Sequence, residues 1–376
     1  MRFLHIADLH IGKRLGSFSL HEEQEALLGQ IVAMAEAHAD AVLIAGDLYD
    51  KAQPSGAAVH MVGDFLTSLA QLDKPLFLIS GNHDNPEQIS YCADLLRDLN
   101  IHTAGAFDGV LAKHVMKDAH GEITVWMLPF IKPFHVRPFF PDRQIETSED
   151  AVRTVLESAA VDTSQRNILL MHQFVLGGIE SDSETASLGG LDRISADLMA
   201  QFDYAALGHL HRPQRFLDGK VCYCGSMYKY SQSEENHQKA ALLVTIEEKG
   251  SLVIETLPYA LPRDVRSLRG PLAALTRLPP SDDYLYITLT DEDVPLDPIG
   301  ALSIAFPRIA GFRVENSRTG SQAQFEELNA AEDKSPIDHF IDFYTAQNGG
   351  TPPKEAHLKV MNSIIRNAWE KSHETN

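Results

Sequence analysis

The sequence predicts an α/β fold, a largely parallel sheet with helices on its faces, followed by a second, β-rich half and a smaller unit. Two observations predict this. In the first half, short apolar runs alternate with stretches of helical periodicity, and around residues 261–271 (LPRDVRSLRGP) that pattern changes. Strand–helix alternation implies parallel strands, because each connection must cross back over the sheet.

The elements follow in order. Residues 2–7 (RFLHIA) read as a first strand. Residues 22–38 repeat at helical spacing, with Leu27, Ile31 and Met34 on one row and Leu28, Val32 and Ala35 on another. AVLIAG (41–46) is a short buried strand, and Ser55 caps a helix with Val59, Val62, Phe65, Leu66 and Leu69 inward. PLFLIS (75–80) is a third strand, and Asn85-Pro86 is a cap and first-turn pair opening a helix to Leu99. EITVWMLPF (122–130) is a strand running into a proline-rich loop, FIKPFHVRPFFPD, and a helix is expected over 148–160. NILLMH (167–172) and YAALGH (204–209) are two more buried strands. Between them lies a long loop rich in Gly, Ser and Asp, of a kind that is often functional in compact domains. VCYCGS (221–226) and KAALLVTIEE (239–248) complete the β-rich half.

After the change of pattern, DYLYITLTD (283–291) alternates as a half-buried strand, DPIGALSIAF (297–306) reads as a helix and AGFRVEN (310–316) as a strand. The expected division is 1–258 for the main domain, 259–316 for a small α+β domain, 317–334 for a polar linker and 335–376 for a helical segment. In that last segment Ser335-Pro336 opens one helix (Ile337, Phe340, Ile341, Tyr344), and a second presents Leu358, Met361, Ile365 and Trp369.

The totals narrow the class. A chain of 376 residues is too long for one ordinary core, and 44 % hydrophobic residues exclude wholesale disorder. No apolar run approaches a membrane span, and the first apolar stretch is too short for a signal peptide. Cys92, Cys222 and Cys224 make neither a disulfide framework nor a paired zinc site, so a cytoplasmic location is expected. The net charge of −20 argues against holding nucleic acid by bulk electrostatics, which needs clustered Lys and Arg. It does not exclude nucleic acid as a substrate, because carboxylates that bind divalent cations are offset once loaded.

The chemistry sits at the strand ends. The first strand ends in Asp8-Leu9-His10, the second in Gly46-Asp47-Leu48-Tyr49-Asp50 and the third in Gly81-Asn82-His83-Asp84. Later strands end in His172 and in Gly208-His209-Leu210-His211. D-x-H or G-D-x-x-D alone is consistent with ordinary turn chemistry, whereas the four polar or flexible residues of G-N-H-D exceed what a turn needs. Together, five strand ends carry Asp, His or Asn at the edge that lines the ligand crevice of an α/β sheet. Carboxylate, imidazole and amide oxygen without thiolate suit manganese, iron or zinc rather than calcium. There are enough ligands for two ions, the arrangement used to cleave phosphate esters.

D-x-H, G-D-x-x-D, G-N-H-D, a later His and G-H-x-H together resemble the calcineurin-like metallophosphoesterases over roughly residues 1–250. ADLHIGK, AGDLYDKAQPS, SGNHDNPE, ALGHLHRPQ, YCGSMYKYSQSEEN and the LPRDVRSLRG junction further resemble the DNA-repair nuclease family of bacterial SbcCD complexes. The resemblance implies a two-sheet α/β/β/α sandwich with a small α+β capping domain and a C-terminal helical pair. It implies one metal on Asp8, His10, Asp47 and His211, and another on Asp47, Asn82, His172 and His209, with Asp47 bridging. His83 would be the general acid, oriented by Asp50. The implied reaction is manganese-dependent in-line hydrolysis of DNA phosphodiesters, as exonuclease and as single-strand or hairpin endonuclease.

The implied partners are DNA, a second copy of the chain and an SbcC-type coiled-coil ATPase bound through 335–369. The chain has no G-x-x-x-x-G-K-[ST] loop, so ATP dependence would come from that partner. Lys13, Arg14, Lys132, Arg137, Arg143, Arg212 and Arg215 border the expected site, or are ordinary solvated residues. The rival readings are a small-substrate phosphodiesterase or phosphatase of the same fold, and a metal-dead scaffold.

Overall fold

The computed structural model describes residues 1–184, 192–317 and scattered positions between 337 and 361. The chain divides into two compact units. One is Met1–Leu268 with Pro279–Tyr286 and Ser303–Gly311; the other is Arg269–Leu278 with Ile287–Leu302 and Phe312–Asn376.

Two six-stranded mixed sheets build the first unit. The strands are β1 (Arg2–Ile6), β2 (Ala41–Ala45), β3 (Leu76–Ile79), β4 (Ile101–Ala104), β5 (Ala112–Asp118), β6 (Gly121–Leu128), β7 (Arg166–His172), β8 (Tyr204–Gly208), β9 (Gln214–Phe216), β10 (Val221–Tyr223), β11 (Ala240–Thr245) and β12 (Val253–Pro258). One sheet runs β12-β11-β1-β2-β3-β4, the other β9-β10-β8-β7-β6-β5. In each, the central strands are parallel, and antiparallel pairs are added at an edge.

Three apolar layers explain the stacking. Phe3, Leu43, Phe77 and Ile79 from one sheet meet Ile123, Val125, Ile168, Leu170 and Ala206 from the other. The outer face of the first sheet packs on α1 (His21–His38) and α2 (Gly56–Ala70) through Leu27, Ile31, Val62 and Phe65. The outer face of the second carries Val152 and Val155 of a helix over Ser148–Ser158. Because both faces of both sheets are covered, β2, β7 and β8 are buried along their whole length and read as continuous apolar runs. The architecture is therefore a two-sheet sandwich with helices outside.

Several local expectations hold and some do not. Ser55 Oγ accepts from the Ala58 N–H, and Asn85 Oδ1 accepts from the Glu87 and Gln88 N–H groups. The helix expected to reach Leu99 is instead two short pieces, Pro86–Ile89 and Ala93–Asp98, because Cys92 between them is left-handed at φ 60°. Val59 is exposed, not inward, since the buried stripe of α2 runs through Ala58, Met61, Val62, Phe65 and Leu69. The edge strand β5 was not expected from the sequence; its burial is partial, and it lacks the strong apolar run of its neighbours.

Within 259–316 lie strands Val265–Gly270, Tyr284–Leu289 and Ile309–Val314 and helices Leu272–Leu275 and Pro298–Ser303. Most of the expected linker and helical pair lies outside the described residues. Positions 337, 340, 341, 344, 345, 355 and 357–361 are helical, and the Tyr344 and His357 rings are 5.0 Å apart. Among the described residues, no helix is long and apolar enough to cross a membrane.

Candidate metal centre

Strands β1, β2 and β3 are parallel neighbours, and so are β7 and β8 in the other sheet. Their C-terminal ends therefore open on the same edge of the sandwich. All seven expected ligand side chains meet there. His10 Nε2 lies 3.0 Å from His211 Nε2, and Asp8 completes that group, with ligand atoms all within 4.8 Å of one another. Asn82 Oδ1 lies 3.0 Å from His172 Nε2 and 2.9 Å from His209 Nδ1. Asp47 Oδ2 joins the two groups, 3.4 Å from His172 Nε2 and 3.7 Å from His10 Nε2. Asp8 also groups with Asp47 and His172, so two carboxylates stand between the clusters.

The backbone is bent to make this meeting possible. Asp8, His10, Asp47 and His209 have φ of 51°, 44°, 52° and 109°. Positive φ is uncommon for residues with a Cβ, and four ligand positions adopt it here. The glycines before the ligands serve close approach. A methyl at Gly208 would overlap the Ala45 carbonyl oxygen and His172 Nδ1, and one at Gly81 would overlap the Asp47 carboxylate.

Electrostatics favour a cation. Burial pushes the Asp8 carboxyl well above its ordinary value. Burial opposes ionisation of Asp47 too, but the facing imidazole of His172 holds it well below its ordinary value. Burial would lower His172, yet Asp47 raises it to about 9. Burial holds His209 down to about 3, and His10 and His211 below their ordinary values, so their ring nitrogens keep lone pairs. Three neutral imidazoles, the carboxyl groups of Asp8 and Asp47 and one amide oxygen stand together, and a divalent ion, which takes deprotonated ligands, would displace the proton that Asp47 favours on His172.

His83 sits at the rim, half-buried. Its ring lies edge-on to His10 at 4.7 Å, and its main-chain N–H donates to Asp47 Oδ1 at 2.8 Å. The expected carboxylate partner differs in one respect. His83 Nδ1 lies 2.9 Å from the main-chain carbonyl of Asp50, while the Asp50 carboxylate takes Lys13 Nζ at 3.0 Å. A carbonyl acceptor makes Nδ1 the protonated nitrogen. Lys13 is thus engaged within the protein, as is Arg143 with Glu157 at 2.7 Å. Arg212 and Arg215 are exposed and line a groove of about 610 Å³ with Asn236, His237 and Gln238.

Sequence reasoning missed the supports. The Asp84 carboxylate accepts from the N–H groups of Leu48, Tyr49 and Gly81, tying the second and third motifs together. Gln24 Nε2 donates to the His10 carbonyl at 2.8 Å, and Gln24 Oε1 accepts from the Gly12 N–H. Ser183, Glu184, Glu234 and Lys239 surround His211. Asp84 stands inside a motif already singled out. The others gave no local signal, because the contacts join positions far apart in the chain.

The chain is similar to known proteins. The family described as calcineurin-like phosphoesterase matches residues 1–213, and that described as type 5 capsule protein repressor C-terminal domain matches residues 261–348. The chain is 28 % identical over 357 residues to the D subunit of the nuclease SbcCD of Staphylococcus epidermidis, covering 93 % of this chain and 94 % of that protein. Among solved structures it is similar to TT1561 of Thermus thermophilus, at 14 % identity and a TM-score of 0.40, covering 68 % of this chain and 98 % of that one.

Proposed function

The chain belongs to the calcineurin-like phosphoesterases, and from that premise we propose that it is the metal-dependent DNA nuclease subunit of an SbcCD-type complex. The observation that supports this reading most is the convergence of seven ligand side chains from five strand ends, with Asp47 reaching both groups. The similarity to an SbcCD nuclease subunit over 93 % of the chain supports the choice of DNA over a small phosphodiester.

Asp8, His10, Asp47 and His211 would hold one ion, and Asp47, Asn82, His172 and His209 the other; we propose manganese. Two bound divalent ions supply Lewis acidity to the phosphoryl oxygens and lower the pKa of water, which generates a nucleophile at neutral pH. The protein does the rest. Asp47 fixes the spacing between the two ligand groups. His83 would be the general acid, its ring passing a proton to the departing sugar oxygen. The Asp50 carbonyl holds the ring through Nδ1. Exposed Arg212, Arg215 and Lys132 supply local positive charge beside an otherwise acidic protein.

The division at 259, 317 and 335, the docking of an SbcC-type ATPase on 335–369, homodimerisation and a cytoplasmic location belong to the same proposal. The test is cleavage of a DNA hairpin with manganese, with and without the ATPase partner, beside hydrolysis of bis(p-nitrophenyl) phosphate. Hairpin cleavage stimulated by the partner is expected. Hydrolysis of the small ester alone would overturn the choice of DNA, and no hydrolysis of either would leave a scaffold.

A further inference from the structure

The last histidine of the metal centre is gripped at every polar atom but one. The His211 N–H donates to Glu184 Oε1 at 2.6 Å, and its carbonyl accepts from Lys239 Nζ at 2.9 Å. Its ring Nδ1 lies 2.7 Å from Ser183 Oγ. Only Nε2 is left, and it is the atom that faces His10 Nε2.

Ser183 does not act alone. Its hydroxyl donates to Glu234 Oε1 at 2.5 Å, so the same oxygen must accept from His211 Nδ1–H. Glu234 Oε1 also takes the Tyr230 N–H and the Ser231 hydroxyl, and lies 3.4 Å from His211 Nδ1. Glu234 Oε2 takes Lys239 Nζ at 2.5 Å. Both side chains of that ion pair are fully buried. Lys239 has three donors, and each finds an acceptor: Glu234 Oε2, Ser226 Oγ and the His211 carbonyl. A buried pair of this kind is a costly way to gain stability, because desolvation offsets much of the attraction. A satisfied network does gain orientation.

We infer that Ser183, Glu234 and Lys239 are positioning residues for the metal centre: the chain Lys239–Glu234–Ser183 fixes the Nδ1–H tautomer of His211 and points its Nε2 lone pair at one ion. This rests on the reading that His211 is a metal ligand. An acceptor behind the distal nitrogen of a ligating histidine fixes tautomer and ring orientation, and its loss costs about 10–100-fold in metal affinity. The network touches His211 and none of the ligands of the second group, so its loss is felt at one ion.

The test uses the full chain freed of metal, titrated calorimetrically with manganese, beside its melting temperature and the ring-nitrogen NMR shifts of His211. The variants are Ser183→Ala, Ser183→Thr and the double Glu234→Gln/Lys239→Met, which removes both charges of the buried pair together. Two manganese sites and an Nδ1–H tautomer are expected in the unmodified chain. Ser183→Ala is expected to weaken one site about 10–100-fold, with the other site and the metal-free melting temperature unchanged. Ser183→Thr keeps a hydroxyl and restores the affinity. The double variant weakens the same site. Unchanged affinities in both Ser183→Ala and the double variant overturn the inference, as does parallel loss of both sites with the melting temperature. Failure of the unmodified chain to bind manganese would instead defeat the reading of the metal centre.

Discussion

His10 Nε2 and His211 Nε2 face each other at 3.0 Å, although the two residues are 201 positions apart in the chain. Both rings are buried and held neutral by burial. With the Asp8 carboxyl they form a cluster whose ligand atoms all lie within 4.8 Å of one another, a donor set that fits a divalent ion.

Asp47→Asn is expected to deplete metal more than any other single ligand change. Its carboxylate lies within reach of both His10 and His172, whereas each of those serves one group. Elemental analysis of the purified variant checks this. Equal depletion of both ions in His10→Ala would count against Asp47 as the sole bridge.

His83→Gln is expected to keep both ions and lose about 10²–10⁴ in cleavage rate, the usual cost of a missing general acid. His83 Nδ1 lies on the Asp50 carbonyl, and its ring is edge-on to that of His10. Rate and metal content measured on the same preparation decide the matter. Loss of metal would make His83 a ligand.

Gly208→Ala is expected to disturb folding as well as metal binding. The added methyl would overlap the Ala45 carbonyl oxygen and His172 Nδ1, where both sheets meet. Overpacking of this kind costs about 1–3 kcal/mol. A thermal melt equal to that of the unmodified chain would contradict the tight approach.

Acid sensitivity is expected from a pair of histidines away from the centre. The His102 and His114 rings lie 3.8 Å apart, and His102 stacks on Phe77. Burial, then the charge of His114, lowers His102 to about 4, and burial lowers His114. The unfolded chain therefore binds more protons between the ordinary value and about 4. Stability is lost as the pH falls through that window and is untouched above it. His102→Phe keeps the stack without the proton, so the fall in melting temperature from pH ~7 to ~5, taken across this linkage window, should be smaller than in the unmodified chain.

Deleting 335–376 is expected to leave manganese-dependent endonuclease activity on single strands and to abolish co-purification with the ATPase. The ligand set lies entirely within residues 1–211, while the apolar helical positions Phe340, Ile341 and Tyr344 lie beyond it. Full-affinity binding of the truncated chain would place the docking surface elsewhere.

The sequence alone determined the strand–helix rhythm, the caps at Ser55 and Asn85, and the candidate ligand residues at the strand ends. Those features are local: apolar runs mark buried strands, and polar residues just past them mark a crevice. It also held the break at Cys92, but hid it, because a single left-handed residue leaves the apolar spacing on either side intact. Only the tertiary structure showed which of these side chains meet, since β1 and β8 stand in different sheets. It decided that the Asp50 carbonyl reaches the His83 ring while Lys13 takes the carboxylate. It placed Ser183 and Glu234 behind His211, 28 and 23 residues away along the chain. Burial is the physical reason for the difference: a polar side chain must find a partner only after the sheets close over it, and sequence spacing does not record which one.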